Sequence, residues 1–452
     1  MSAPRRVAIV GGGLAGITAA LDLARAGADV TLLEVRPRLG GVAYSFEQDG
    51  LTVDNGQHVF LRCCVAYREL LARLGAEHDV HLQPRLDIPV LAPGGRAARL
   101  RRSGLHAPLH LAGALARYPY LRPAERASVA RAMLALGRVD PDDPAADRRS
   151  FGEWLTEHGQ GPEAVETIWR LIALPTLNLE PAEASLAQAA QVFRVGLLSD
   201  RGAGDVGWSR VPLSDLHDGP ARRALAAAGV SVRLRSRAEQ IVRRGAGWEV
   251  AAAGGAVPAD AVVVAVPPSR AAHLLPAGAL PDPDALAALG RSPIINLHVV
   301  YDRPVLDEPF AAAVHSPVQW VFDRTAGARV DGGRQYVAVS LSAADADMGL
   351  SPDGLRARYE PALAELLPAA RTARIERFVT TREHAATFRA APGSRALRPP
   401  GRTAQPGIVL AGAWTDTGWP ATMEGAVRSG HRAAEYVLAT RPEEIRPRDV
   451  AA

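Results

Sequence analysis

Lysine is missing from this sequence, and all 52 residues in the combined count of lysine and arginine are arginine. The sequence is also rich in alanine, glycine and proline, so this absence indicates codon bias rather than a functional requirement. The formal net charge is only +4. So small an excess of positive charge, scattered along the chain, does not predict a nucleic acid partner.

Cysteine is scarce as well. The two cysteines, Cys63 and Cys64, are adjacent in the chain. They cannot build a disulfide framework, and they lack the spacing of metal ligands. We therefore expect no metal site, and we expect a reducing compartment such as the cytoplasm.

Long hydrophobic runs are also absent. No stretch approaches the roughly 18 consecutive apolar residues that predict a transmembrane helix. The apolar stretch near the N-terminus is interrupted by glycines and by Asp22, which does not fit a secretory signal. Because 452 residues exceed one compact core, we expect two sequential or intertwined domains.

The sequence does contain a β-α-β pattern at its start. Val7–Val10 is a short apolar run that ends at a glycine, which is typical of a buried parallel strand. Apolar residues then recur at helical spacing over Leu14–Arg25, and Asp29–Leu33 reads as a second strand. Glu34 ends that strand, where a carboxylate would accept hydrogen bonds from a ribose diol.

The turn between strand and helix predicts a dinucleotide site. Gly11 permits the tight turn, Gly13 the close approach of a diphosphate, and Gly16 the packing of the helix against the strand. The backbone N–H groups of Leu14 and Ala15, at the helix N-terminus, would face the phosphates. These residues alone leave the ligand open between NAD and FAD.

The next block favours FAD. Arg36, Arg38 and the pair Gly40 and Gly41 follow the second strand directly, which is not expected in an NAD dehydrogenase. The block resembles the extended flavin fingerprint of the amine oxidase and phytoene desaturase superfamily. The resemblance implies that the glycine pair passes close to the diphosphate and that an arginine neutralises it. Many relatives have a further arginine where this chain has Val42.

Two more segments resemble flavin-contacting parts of that superfamily. Gly56 and Gln57 lie in a turn that would pass beside the flavin ring. Near the C-terminus, a helix predicted to begin at Met423, after Thr422, would direct its N–H groups at the flavin N1 and O2 edge.

One position departs from the superfamily pattern. Relatives usually carry Gly-Asp where this chain has Gly412 and Ala413, and that aspartate binds the ribityl chain. We expect its loss to weaken flavin binding unless Thr415 or Asp416 replaces it.

The resemblance implies an α/β protein with a Rossmann-type FAD-binding domain of the amine oxidase kind and an inserted α+β substrate domain. Backbone groups near Ala238 would lie along the adenine. In the insert, the predicted helices Leu105–Tyr120 and Pro123–Val139 either pack on the domain or form a lipid-facing surface.

The expected boundaries are residues 1–62, 200–290 and 395–452 for the FAD-binding domain, and residues 63–199 and 291–394 for the substrate-binding domain, whose insert is mostly helical.

Within the superfamily, the segments 54–58 and 414–426 resemble those of the hydroxysqualene dehydroxylase family. Members of this family are squalene-associated FAD enzymes of bacterial hopanoid pathways. The resemblance implies reductive removal of the allylic hydroxyl of hydroxysqualene, which gives squalene. It implies non-covalent FAD, with NADPH or NADH as the external reductant. It further implies a long apolar isoprenoid substrate, upstream enzymes similar to squalene or hydroxysqualene synthase, and peripheral contact with the inner face of the cell membrane.

Such a reaction needs a proton for the leaving oxygen, an apolar tunnel and support for an allylic cation. Our candidate acid is His58, whose alternative role is a hydrogen bond to a nearby carbonyl. Asp54 and Asp416 are further titratable candidates near the flavin motifs. Trp414 would stabilise the cation through its π face, or would simply pack on the ring.

Three alternatives remain open. A flavin amine oxidase usually places a lysine beside the flavin, and this chain has none. A carotenoid- or phytoene-type desaturase would work oxidatively on a similar polyene. Prenyl-binding proteins of the GDP-dissociation-inhibitor and escort type reuse the fold without redox chemistry, but the intact glycine motif and Glu34 argue against that class.

Overall fold

The structure is a computed structural model that describes residues 4–282 and 284–440. Its strands are β1 (Arg6–Val10), β2 (Asp29–Leu33), β3 (Ser45–Gln48), β4 (Leu51–Asp54), β5 (Phe60–Leu61), β6 (Val80–Leu82), β7 (Asp87–Ala92), β8 (Arg96–Arg101), β9 (Val206–Ser209), β10 (Ser231–Arg233), β11 (Ala238–Arg244), β12 (Gly247–Ala252), β13 (Val257–Ala259), β14 (Ala261–Val264), β15 (Ser292–Tyr301), β16 (Phe310–Ala313), β17 (Trp320–Asp323), β18 (Gln335–Ser342), β19 (Ile375–Thr387) and β20 (Ile408–Leu410).

The α-helices are α1 (Leu14–Arg25), α2 (Val65–Leu74), α3 (Ala112–Ala116), α4 (Pro123–Leu136), α5 (Pro144–Asp147), α6 (Phe151–Glu157), α7 (Pro162–Ala164), α8 (Arg170–Leu177), α9 (Leu186–Phe193), α10 (Leu213–Ala227), α11 (Pro268–Leu274), α12 (Ala285–Ala288), α13 (Pro352–Leu366), α14 (Ser394–Leu397) and α15 (Met423–Ala439). Two π-helical turns, Val165–Trp169 and Arg194–Leu198, adjoin α8 and α9.

A five-stranded parallel sheet forms the first layer, in the order β10-β2-β1-β14-β20. Its central strand β1 is apolar and buried from Val7 to Val10, as expected of a parallel strand that is covered on both faces. The glycine turn follows β1 at the carboxyl edge of the sheet, where α/β folds bind their ligands. The predicted Rossmann-type α/β class is confirmed.

Helices α1 and α15 pack together on this sheet and bring the two ends of the chain into contact. The contact is close, because a Cβ added to Gly430 in α15 would lie 2.4 Å from the backbone oxygen of Ala15 in α1. Small residues therefore let the two helix backbones approach, and both helix N-termini reach the same edge of the sheet.

The second part of the molecule contains a seven-stranded sheet in the order β19-β15-β18-β17-β16-β7-β8. Helix α13 covers one side of it through a separate apolar core that contains Leu355, Tyr359 and Leu363. Helices α4 to α9 form a mostly helical layer around the buried aromatic residues Phe151 and Trp169. The seven-stranded sheet and the helices that pack on it are of the α+β kind expected for the inserted part of the chain.

Several predicted elements differ in extent. The helix expected over Leu105–Tyr120 is reduced to a 3₁₀ turn at Leu109–Leu111 and the short α3, because the flanking prolines Pro108 and Pro119 interrupt helical hydrogen bonding. Helix α2, in a segment expected in the substrate-binding domain, packs instead in the core of the parallel sheet through Tyr67 and Leu71.

The C-terminal tail after Thr440, expected to be mobile, lies outside the described residues. Within the described residues, no helix combines the length and the apolar character that crossing a bilayer requires. The same residues contain no group of three or more histidine, cysteine, aspartate or glutamate side chains arranged to hold a metal ion.

Candidate functional site

One large cavity, of about 1250 Å³, extends from the carboxyl edge of the parallel sheet into the second part of the molecule. Ligand pockets in proteins usually enclose roughly 300 to 1,000 Å³. The volume here exceeds that range, as expected if a cofactor and a second, extended ligand share the same space.

Glycines from two motifs form a cradle at one end of this cavity. A Cβ added to Gly41, whose φ is +63°, would lie 2.9 Å from the Cα of Gly13. On Gly16, a Cβ would lie only 1.9 Å from the backbone oxygen of Gly11, so that position also requires glycine. Gly40 adjoins the cradle with φ of +98°. The cradle thus consists of closely packed backbone, and a side chain at Gly41 or Gly16 would displace it.

The start of α1 and Glu34 complete this end. Leu14 and Ala15 both line the cavity at the helix N-terminus. The carboxylate of Glu34 is buried and accepts hydrogen bonds from the backbone N–H groups of Gly12, at 2.6 Å, and Arg36, at 2.7 Å. These bonds fix the carboxylate in the cavity wall, and its remaining lone pairs are available to a ribose diol.

The two candidate arginines differ in their surroundings. The Arg38 guanidinium donates to the backbone oxygen of Gly41 at 2.9 Å and lies 3.5 Å from the centre of the Tyr44 ring. Burial lowers the pKa of Arg38, although an arginine remains charged at neutral pH. Arg36 is exposed at the cavity wall. Val42, in place of an expected arginine, is also exposed there.

The C-terminal motif reaches the same cavity. Thr422 caps α15 by accepting a hydrogen bond from the N–H of Gly425 at 3.2 Å, and Met423 begins the helix in the cavity wall. Gly412 has φ of +146° and donates to the Ser429 hydroxyl at 2.7 Å. Ala238 also lines the cavity, where its carbonyl accepts a hydrogen bond from Arg270.

Neither proposed replacement for the missing aspartate points into the cavity. Thr415 donates its hydroxyl back to the carbonyl of Gly412 at 2.9 Å. The Asp416 carboxylate lies outside the cavity, 3.9 Å from the Nε of Arg395. The wall beside Ala413 therefore offers the ribityl chain no carboxylate from either residue.

These observations fit FAD. The bare backbone at Gly13 and Gly41 and the N-terminus of α1 fit a diphosphate. The N-terminus of α15 fits a flavin edge, and the buried carboxylate of Glu34 fits a ribose. The residues that would hold the cofactor are Gly11, Gly13, Leu14, Ala15, Gly16, Glu34, Arg36, Arg38, Gly40, Gly41, Gly56, Gln57, Ala238, Gly412, Thr422 and Met423, and all of them except Gly16 line the cavity.

The catalytic candidates occupy different places. His58 lines the cavity, and no hydrogen bond to its ring is present among the described residues. Burial lowers the pKa of His58, and the charge of Asp54 only partly opposes this, so the ring is neutral at pH 7. Trp414 also lines the cavity and is held by a hydrogen bond from its Nε1 to the carbonyl of Val266, at 3.0 Å.

Asp54 lies outside this cavity and is fully engaged. It accepts hydrogen bonds from the Ser45 hydroxyl at 2.6 Å and the Leu213 N–H at 3.0 Å. It also forms a buried ion pair with Arg324 at 2.8 Å. The carboxylate thus holds the turn that carries Gly56 rather than facing a ligand.

The structure brings an unforeseen carboxylate into the cavity. Glu383, on β19, accepts a hydrogen bond from the side-chain amide of Asn55 at 2.9 Å, and the Tyr44 hydroxyl lies 3.5 Å away. Asn296, on β15, lines the cavity beside them. No motif surrounds either residue in the sequence, and Glu383 stands 328 positions from Asn55. The cluster forms only when β15 and β19 pack against the turn that carries Gly56 and Gln57.

The far end of the cavity is apolar. The helical layer supplies its wall, and Leu109 and Leu134 lie at the surface there with 61% and 50% of their area exposed. The side chains that line this end include Ile88, Leu115, Val129, Met133, Ile168 and Phe322.

The chain is similar to known proteins over most of its length. The family model described as "Flavin containing amine oxidoreductase" matches residues 14–438. Hydroxysqualene dehydroxylase from Rhodopseudomonas palustris is 32% identical over 446 residues, which cover 96% of this chain and 99% of that protein. A zeta-carotene desaturase from Zea mays is 24% identical over 96% of this chain and 83% of its own length. A triple variant of putrescine oxidase shares the fold, with a TM-score of 0.72 and 22% identity over 96% of this chain and 99% of that one.

Proposed function

This chain belongs to the flavin-containing amine oxidoreductases and, among them, to the hydroxysqualene dehydroxylase family, and we propose that it reductively removes the allylic hydroxyl of hydroxysqualene to give squalene. The membership confirms the predicted FAD-dependent oxidoreductase. The main support for the proposal is that a single cavity connects the glycine cradle with an apolar compartment. An extended hydrocarbon in that compartment would lie end-on to a flavin ring.

The residues of the chain have distinct tasks in this proposal. The glycine cradle, Glu34 and the start of α1 bind and orient the cofactor, and the apolar helical layer excludes water from the reacting carbon. Bound FAD, once reduced, supplies a hydride. Trp414 offers its π face to the positive charge that develops on the substrate. We propose NADPH or NADH as the external electron donor.

We further propose that the protein receives its substrate at the cytoplasmic face of the membrane, without spanning it. A polyprenoid is nearly insoluble in water, so the apolar end of the cavity must open towards lipid. The exposed side chains of Leu109 and Leu134, which line that end of the cavity, support this orientation. Enzymes similar to squalene or hydroxysqualene synthase are the partners that would deliver the substrate there.

Anaerobic single turnover tests the proposed reaction. The flavin of the purified protein is photoreduced and mixed with hydroxysqualene, and absorbance at the flavin band and squalene by chromatography are followed together. We expect reoxidation of the flavin and formation of squalene in equal amounts. A flavin that stays reduced, with no squalene formed, would falsify the proposal.

A carotenoid-type desaturase is the second candidate, and the full-length similarity to a zeta-carotene desaturase favours it. It would use the same cavity in the opposite redox direction. The two are separated by mixing the oxidised protein with phytoene or zeta-carotene. A desaturase is indicated if these polyenes reduce the flavin and the reduced protein does not react with hydroxysqualene.

A further inference from the structure

A linked polar cluster lies in the wall of this largely apolar cavity, formed by Asn55, Asn296 and Glu383. Asn55 is its centre. Its side-chain Nδ2 donates to Glu383 Oε1 at 2.9 Å, and its backbone oxygen accepts from Asn296 Nδ2 at 3.0 Å. The cluster is therefore a built arrangement, since each partner restricts the orientation of the next.

One buried polar atom of the cluster has no partner among the described residues. Asn296 is fully buried, and its Oδ1 makes no hydrogen bond. Because its Nδ2 is committed to a carbonyl, the free atom is an acceptor. A hydroxyl group of a bound ligand would donate to this atom and satisfy it.

Glu383 also differs from the other acidic side chains that line the cavity within the described chain. Glu34 accepts backbone hydrogen bonds through both oxygens. Glu424 is fully buried, accepts from the start of α2 and is paired with Arg428 at 2.7 Å. Glu383 forms no ion pair, and its Oε2 makes no hydrogen bond in the described residues.

We infer that this cluster binds the allylic hydroxyl of the substrate and that Glu383 is the catalytic acid that protonates it, an inference that rests on the proposed function. The proton moves from the Glu383 carboxyl to the hydroxyl oxygen. The C–O bond breaks with its electron pair on oxygen, and water leaves. The allylic carbon gains a hydride from the reduced flavin. One proton and one hydride are consumed, and the Glu383 carboxylate regains its proton from solvent.

Three proteins are compared in anaerobic single turnover with hydroxysqualene: the wild type, E383Q and E376Q. Glu376 is the matched control, because it lies on the same strand but is exposed and outside the cavity. We expect E383Q to retain FAD and photoreduction but to form squalene at least about 100-fold more slowly, the range for loss of a general acid. E376Q should match the wild type, and E383D, which keeps the acid, should exceed E383Q.

A binding measurement tests the hydroxyl site independently of turnover. In N296A with oxidised flavin, we expect affinity for hydroxysqualene to fall about tenfold while affinity for squalene, which has no hydroxyl, stays unchanged. Equal losses for both ligands would overturn the hydroxyl site.

The remaining outcomes separate the two proposals. Wild-type protein that forms no squalene would overturn the proposed function and this inference with it. An active wild type with an equally active E383Q would overturn the inference alone, and so would an E383Q protein that loses FAD, since Glu383 would then serve the cofactor.

Discussion

Gly13 and Gly41 face each other so closely that a Cβ on Gly41 would lie 2.9 Å from the Cα of Gly13. We predict that G41A weakens FAD binding at least about tenfold, because the added methyl group would collide with the backbone of Gly13 and push apart the two glycine turns at the cofactor end of the cavity; this equals about 1.4 kcal/mol of binding free energy. Flavin fluorescence titration of the apoprotein measures the change.

The control for this prediction is G75A. Gly75 has φ of +69°, close to the +63° of Gly41, but a Cβ there meets nothing within 4 Å. Both substitutions carry the backbone strain of a left-handed alanine, about 1 to 2 kcal/mol. Loss of FAD from both variants alike would show that backbone strain, not the clash with Gly13, is responsible.

The buried ion pair between Asp54 and Arg324 is predicted to stabilise the fold rather than to take part in catalysis. R324M leaves the Asp54 charge buried without its partner, so the free energy of unfolding should fall by about 3 to 5 kcal/mol. R329M, which removes an exposed pair with Asp215, should change it by less than about 1 kcal/mol. Urea denaturation of both variants checks this, and equal small losses would contradict it.

Acid should destabilise the protein through two buried histidines. Burial lowers the pKa of His217 to about 4 and that of His298 to about 3, from an ordinary 6.5. Below pH 6.5 the unfolded chain binds protons that the folded chain does not, so stability falls with pH down to these values. Each histidine contributes a slope of about 1.4 kcal/mol per pH unit.

We therefore expect H217Q and H298Q each to flatten the dependence of unfolding free energy on pH between pH 6 and 5, as measured by urea denaturation at a series of pH values. Glutamine keeps a polar group beside Tyr67, the partner of His217, and beside Tyr336, the partner of His298. H384Q, at an exposed position on β19, should leave the slope unchanged. Unchanged slopes in all three variants would rule out this explanation.

Liposome sedimentation tests the lipid-facing end of the cavity. The double variant L109Q/L134Q should bind phospholipid vesicles roughly 30-fold more weakly, because about 1 kcal/mol of apolar burial is lost at each leucine. Its stability should stay within about 0.5 kcal/mol of the wild type, since both side chains are exposed. L438Q, at a leucine that is 50% exposed on α15, is the control and should bind as the wild type.

The sequence by itself determined the nucleotide-binding end of the molecule. Strand β1, helix α1 and strand β2 have the predicted extents almost to the residue, because their local signals, an apolar run, a glycine turn and helical periodicity, are each contained in a few adjacent positions. Helix α15 begins at Met423 as predicted for the same reason.

Only the tertiary structure decided which acidic groups face the cavity. Asp54 and Asp416 lie next to the flavin motifs in sequence, yet neither lines the cavity, whereas Glu383, far from any motif, does. The direction of a side chain depends on the register of β15 with β19 and on how that sheet meets the turn at Asn55. Those contacts join residues far apart in the chain, 328 positions in the case of Asn55 and Glu383, so no local pattern of sequence contains them.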